Sequence, residues 1–110
     1  MKKEYLAITT NTGLNFIRRS EIMYCLSDGS YTNIHLEGGR KLTVSKNLKE
    51  VENTLADPQF VRIHNSHLIN LTHAVGFINN GHNCVQMNNG EELAVARNRK
   101  KGFFELFDRL

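Results

Sequence analysis

Four of five consecutive positions near the C-terminus are cationic: Arg97, Arg99, Lys100 and Lys101. Residues 1–96 hold nine Lys/Arg and nine Asp/Glu, so the net charge of +3 lies wholly within residues 97–110. A local cluster on a neutral body suits one anion-binding spot better than a polycationic coat, although a short charge run is also what a solvated helix end looks like. If a helix begins near Asn98, its first turn carries Arg99, Lys100 and Lys101, the wrong sign for the helix dipole by about 0.3–1 kcal/mol per charge. A bound phosphate reverses that sign, because it would meet unpaired N–H groups, the dipole and several cations together.

A second polar cluster, Arg62-Ile63-His64-Asn65-Ser66-His67, lies between strand-like segments. Asn65 and Ser66 can form a turn through their own backbone, or meet phosphates or a base edge; spacing alone does not choose. Five histidines and two cysteines raise the question of zinc, but the chain has no Cys-x-x-Cys pair and no known zinc spacing. His64 and His67, three apart in extended chain, are expected to point to opposite faces. No metal or other cofactor is therefore expected. Catalysis fares no better. There is no Gly-x-Ser-x-Gly elbow around Ser66 and no Gly-rich phosphate loop, and Cys25 sits in an apolar strand that suppresses its thiolate.

The elements that must position these residues are short. With 110 residues the chain has room for a single domain, residues 1–110. The longest apolar run is five residues, Ile22 to Leu26, too short for a membrane span or a signal peptide. Cys25 and Cys84 read as reduced thiols of a cytoplasmic protein. Strands are expected at Tyr5–Thr9, Leu14–Ile17, Ile22–Ser27, Tyr31–Leu36 and Arg40–Val44, and again at Val61–Ile63, His67–Asn70, Ala74–Ile78, Asn83–Met87 and Glu92–Val95. Asp28-Gly29, Gly38-Gly39 and Asn89-Gly90 mark turns, the last because both residues tolerate positive φ. Two segments break the alternation. Asn47–Ala56 places Leu48, Val51 and Leu55 at helical spacing, with Asn47 and Glu50 as a capping box and Asp57-Pro58 as its stop. Phe103, Phe104 and Phe107 would form one face of the C-terminal helix. The class is mainly β, antiparallel sheets with one or two short helices.

The string Phe60-Val61-Arg62-Ile63-His64-Asn65-Ser66-His67-Leu68-Ile69-Asn70-Leu71 resembles the signature of the LytTR DNA-binding domain, Phe-x-Arg-x-His-(Arg/Asn/Lys)-Ser-x-(hydrophobic)-(Val/Ile)-Asn. Flanking segments agree in order: Ile22-Met23-Tyr24, Ser30 to Ile34, Leu48 to Glu52, Asn89-Gly90 and Leu93 to Arg97. The likeness spans about residues 14–108. It implies a LytTR-like fold without a helix-turn-helix, and sequence-specific binding of double-stranded DNA in bacterial transcription regulation. Loops would enter successive major grooves of direct repeats, with two copies of an otherwise monomeric domain on the DNA.

That resemblance also assigns roles. Tyr31, Asn65 and Arg97 match the three base-reading or groove-inserting positions, Tyr31 by stacking or touching a thymine methyl and Arg97 by bridging guanine O6 and N7. Lys46, Asn47, Ser66 and Lys100 match phosphate-holding positions, and the charge cluster adds Arg99 and Lys101. A receiver domain or sensor kinase is the expected partner in a two-component system. No receiver is present in these residues, which suits either an excised output domain or a free-standing regulator. Two other readings remain open on sequence: an RNA or single-strand platform, disfavoured because most Phe residues fall at apolar-face positions, and a protein-interaction module built on the neutral body.

Overall fold

The computed structural model describes residues 3–79 and 81–110. Among them ten strands and two helices follow in the order β1 (Tyr5–Thr10), β2 (Gly13–Arg18), β3 (Ile22–Asp28), β4 (Tyr31–Leu36), β5 (Lys41–Val44), α1 (Leu48–Leu55), β6 (Phe60–His64), β7 (His67–Asn70), β8 (Ala74–Asn79), β9 (Asn83–Met87), β10 (Glu92–Ala94) and α2 (Arg97–Phe104). Every strand pairing is antiparallel. The central sheet has the order β5-β4-β3-β7-β6, β1 and β2 form a hairpin, and β10-β9-β8 form a third sheet. No described helix is long and apolar enough to cross a membrane.

The central sheet is covered on both faces, which explains why Ile22–Leu26 is apolar throughout instead of alternating. One face packs Ile22, Cys25, Ile34 and Leu68 against the β1–β2 hairpin and against Leu48, Val51 and Leu55 of α1. The other packs Met23, Tyr24, Ile63 and Ile69 against the third sheet and Phe103 of α2. Met23 and Tyr24 are neighbours yet share a face because the β3–β4 register shifts between Ile22 and Tyr24, a β-bulge. Buried Asn70 closes this irregularity: its Nδ2 donates to the Ile22 carbonyl at 2.9 Å while its Oδ1 accepts from Thr72 N and Oγ1. Burial pushes the Cys25 thiol up to about 12, so it packs as an inert apolar group.

Turns follow residue chemistry, with one refinement. Gly29 takes φ +61 as the first residue of a two-residue turn, the glycine-first form that matches strand twist. At Asn89-Gly90 only Gly90 has a positive φ; its N–H donates to Met87 O and Met87 N–H donates to Glu91 O, so the turn is a longer one with Gly at its left-handed position. The α1 capping box forms as expected: Asn47 Oδ1 accepts from Glu50 N at 2.9 Å and Glu50 Oε1 from Asn47 N at 3.2 Å. One aromatic assignment needs correction. α2 ends at Phe104, so Phe107 lies beyond it, exposed and edge-on to Phe103 at 5.3 Å. Phe16 is 74% exposed on the outer side of β2.

Candidate nucleic-acid interface

A chain of hydrogen bonds ties the separate polar loops into one rim. Thr32, fully buried at the start of β4, donates from Oγ1 to the Lys46 carbonyl at 2.7 Å and so holds the segment before α1 beside Tyr31. Thr32 is registered with Ser27, whose N–H donates to Ser66 O at 3.0 Å. The Asn65-Ser66 turn is thereby fixed next to the Gly29 turn. On its other side Ala96 N–H donates to Ile63 O at 2.8 Å, and His67 Nδ1 lies 2.9 Å from Ala94 O. The residue after Ala96 is Arg97, the first of α2. Asn65 and Arg97, thirty-two positions apart in sequence, thus belong to one edge of the molecule.

The Asn65-Ser66 turn itself needs support. Neither residue has a positive φ, and an unprimed two-residue turn tends to splay its strands. Arg62 supplies the clamp. Its Nε donates to His64 O at 2.9 Å, one terminal nitrogen donates to Asn65 O, and the other pairs with Glu52 of α1 at 3.0 Å. Only 15% of the Arg62 side chain is exposed, and the glutamate and the loop carbonyls face its guanidinium. His64 Nδ1 accepts from Ser66 N at 3.0 Å, and its ring stacks on His67 with centroids 4.4 Å apart. This corrects the expectation that the two rings diverge: the tight turn places His64 directly opposite His67, with a bulge just before it, so cross-strand pairing replaces simple alternation. His73 is held elsewhere, by Ser20 O and the Asn88 amide. Among the described residues no three His, Cys, Asp or Glu groups converge as metal ligands.

The remaining candidates fall around this rim. Tyr31 and Asn65 are exposed and Ser66 is half-buried. Asp28 pairs across the hairpin from Tyr31, so this corner carries an acid as well as an aromatic. Lys46 is exposed; the Asn47 side-chain oxygen is engaged in the α1 cap, which leaves its amide nitrogen as the group able to reach outward. α2 begins at Arg97, one residue earlier than expected, and Ala96 offers it no side-chain cap. Its first turn contains no acid. An open concavity is lined by Arg97, Lys100, Lys101 and Arg109 with Phe104 and Glu105. Among the described residues none of Arg97, Arg99, Lys100 or Lys101 forms an ion pair. Lys100 is the most restrained of them, its ammonium 6.0 Å from the Phe77 ring centre and 5.9 Å from that of Phe104.

Sequence reasoning named the outward-facing side chains but not the residues that hold them. Arg62 was visible only as part of a polar string; its partnership with Glu52 crosses from strand to helix and leaves no local signature. Buried Thr32 in an alternating strand was a fainter signal, since a hydroxyl in a core must find an acceptor.

The model of the LytTr DNA-binding domain matches residues 12–108. The chain belongs to the LytTr DNA-binding domain family. Its fold is also that of a solved LytTr DNA-binding domain of a response regulator from Bacillus cereus, with a TM-score of 0.80, 24% identity, and coverage of 96% of this chain and 97% of that one. The comparison with curated proteins gave no match. Membership of this family makes the chain a DNA-binding domain of the regulatory kind, and the fold is the LytTr fold, mostly β with three antiparallel sheets and two helices.

Proposed function

We propose that this LytTr domain binds duplex DNA sequence-specifically as the reading head of a cytoplasmic bacterial transcription regulator. Tyr31, Asn65 and Arg97 meet bases, while Lys46, Asn47, Ser66, Arg99, Lys100 and Lys101 hold the sugar-phosphate backbone. The observation that carries this reading is the Ala96–Ile63 hydrogen bond, which docks the Asn65 turn against the start of an uncapped, cationic helix. An amide and a guanidinium on neighbouring protrusions are the side chains suited to adenine and guanine edges in a major groove. The free N–H groups and cations behind Arg97 suit a phosphate. Asp28 next to Tyr31 opposes phosphate at that corner, which favours insertion of Tyr31 toward bases there.

The longest extent of the domain is 44 Å, against the roughly 34 Å of one duplex turn. Loops from one copy would enter successive major grooves, and two copies would occupy a pair of direct repeats. The relative in Bacillus cereus is described as part of a response regulator; the same arrangement here would place the domain under a receiver and its sensor kinase. The decisive test is selection of bound duplexes from a random pool. Enrichment of two like repeats about one helical turn apart (~10 bp) is expected. Recovery of no shared sequence, or stronger capture of single strands than of the matching duplex, would overturn the reading.

A further inference from the structure

On the face opposite the third sheet, α1 and β1 both pack on the central sheet. Between them is a cavity of about 150 Å³, walled by Ile8, Ile34, Val44, Val51 and Leu55 and bordered by Ser45, Lys46 and Thr54. Its deep wall is aliphatic and buried, whereas Ser45, Lys46 and Thr54 are exposed. The space opens to solvent on the side of Ser45, Lys46 and Thr54, and its volume is about that which accepts a benzene-sized guest in an apolar cavity.

We propose that this cavity is a binding site for a small apolar acid, a molecule with a ring or short aliphatic chain and one carboxylate. The apolar part would fill the space between Ile34, Val44 and Val51. The carboxylate would lie at the opening, where Lys46 supplies the positive charge and the Ser45 hydroxyl a donor; the Thr54 hydroxyl already donates to the Glu50 carbonyl at 2.9 Å. A neutral guest would forgo the charge of Lys46.

The position of Lys46 gives the site a consequence. Its carbonyl accepts from Thr32 Oγ1, next to Tyr31, and its side chain is one of those assigned to phosphate. An acid bound at the opening competes with DNA for that ammonium, so ligand and duplex would weaken each other reciprocally. This antagonism rests on the DNA reading above; the site itself does not.

Benzoate is the probe, with benzyl alcohol as its uncharged counterpart, titrated into the 110-residue chain without DNA while amide and methyl resonances are followed. Saturable shifts at Ile8, Val44 and Val51 are expected, with benzoate about tenfold tighter than benzyl alcohol and a Kd near or below about 1 mM, in reach of a molecule this small. Lys46→Gln should abolish the preference for the acid while leaving benzyl alcohol bound. Val51→Leu should weaken both guests at least tenfold by filling the space, and Thr54→Leu, at an exposed helix position, gives a second occlusion should Val51→Leu impair folding. Absence of saturable shifts at the cavity, or shifts confined to the arginines around Arg97, would overturn the site. Saturating benzoate should also weaken duplex binding threefold or more against chloride of equal ionic strength. Duplex affinity unchanged by bound benzoate would overturn the antagonism alone, and failure of the chain to bind duplex would leave the benzoate result standing.

Discussion

The two helices are equal in length and opposite in construction. α1 and α2 each span eight residues. α1 opens on a reciprocal Asn47–Glu50 box and buries Leu48, Val51 and Leu55. α2 opens on Ala96 with no side-chain cap, carries cations where the dipole favours anions, and buries Phe103 alone. In α1 the opening turn and the buried face agree with the fold, as expected of an element whose task is packing, and the departure is at its close, where Ala56 takes a left-handed φ of 44. In α2 the opening itself breaks local preference, and that end adjoins the Asn65 turn. Sequences tend to break their own rules at sites of function, so the contrast separates the scaffold from the working surface.

The contrast can be broken in order of size. Leu55→Ala in α1 should cost about 2–5 kcal/mol of stability in a denaturant titration, and a loss below 1 kcal/mol would mean that α1 is not the scaffold helix. Arg97→Ala should do the reverse, leaving stability within about 0.5 kcal/mol but weakening the preferred duplex by about 1–3 kcal/mol. Competition between duplexes altered at single positions should show relaxed preference at one of them.

The caps allow a mirrored pair of smaller changes. Asn47→Ala should destabilise the chain by about 1 kcal/mol, and Ala96→Ser, at a backbone of φ −65 and ψ 143 that suits a cap, should stabilise it by about 0.5–1 kcal/mol. If Ala96→Ser brings no stability, the start of α2 is not frustrated in the way described.

The smallest effect is pH-dependent. Burial, chiefly, and the neighbouring His64 hold the His67 pKa below its usual 6.5, against the opposing hydrogen bond to Ala94. The unfolded chain then binds the proton more readily, so this contribution to stability is complete above about pH 6.5 and is lost as pH falls below it. Denaturant midpoints measured between pH 7.5 and 5.5 should decline, and His67→Gln should flatten the decline.

What the sequence made legible was local. The α1 box, its stop before Asp57-Pro58 and the turn at Gly29 each depend on residues a few positions apart, and each is present. The two-sided burial of Ile22–Leu26 was legible as an unbroken apolar run. What stayed hidden depended on pairing across the chain. The stack of His64 on His67 requires the turn between them, the Arg62 clamp requires α1 behind β6, and the exposure of Phe16 follows from a hairpin that covers the core with only its other face. The likeness to the LytTR signature named Asn65 and Arg97 as partners, yet their nearness comes from pairing across the chain, the Ala96–Ile63 backbone bond and the His67–Ala94 contact. No periodicity carries that information.

The central claim is that one rim, made from the Gly29 and Asn65 turns and the start of α2, takes the DNA. It is tested most directly by titrating a selected duplex into isotopically labelled protein and mapping which backbone amides shift. Concerted shifts at residues 29–31, 64–67 and 96–101, with Phe16 and the Gly38-Gly39 turn unmoved, are expected. Shifts centred on the β1–β2 hairpin, with Asn65 and Arg97 silent, would contradict it.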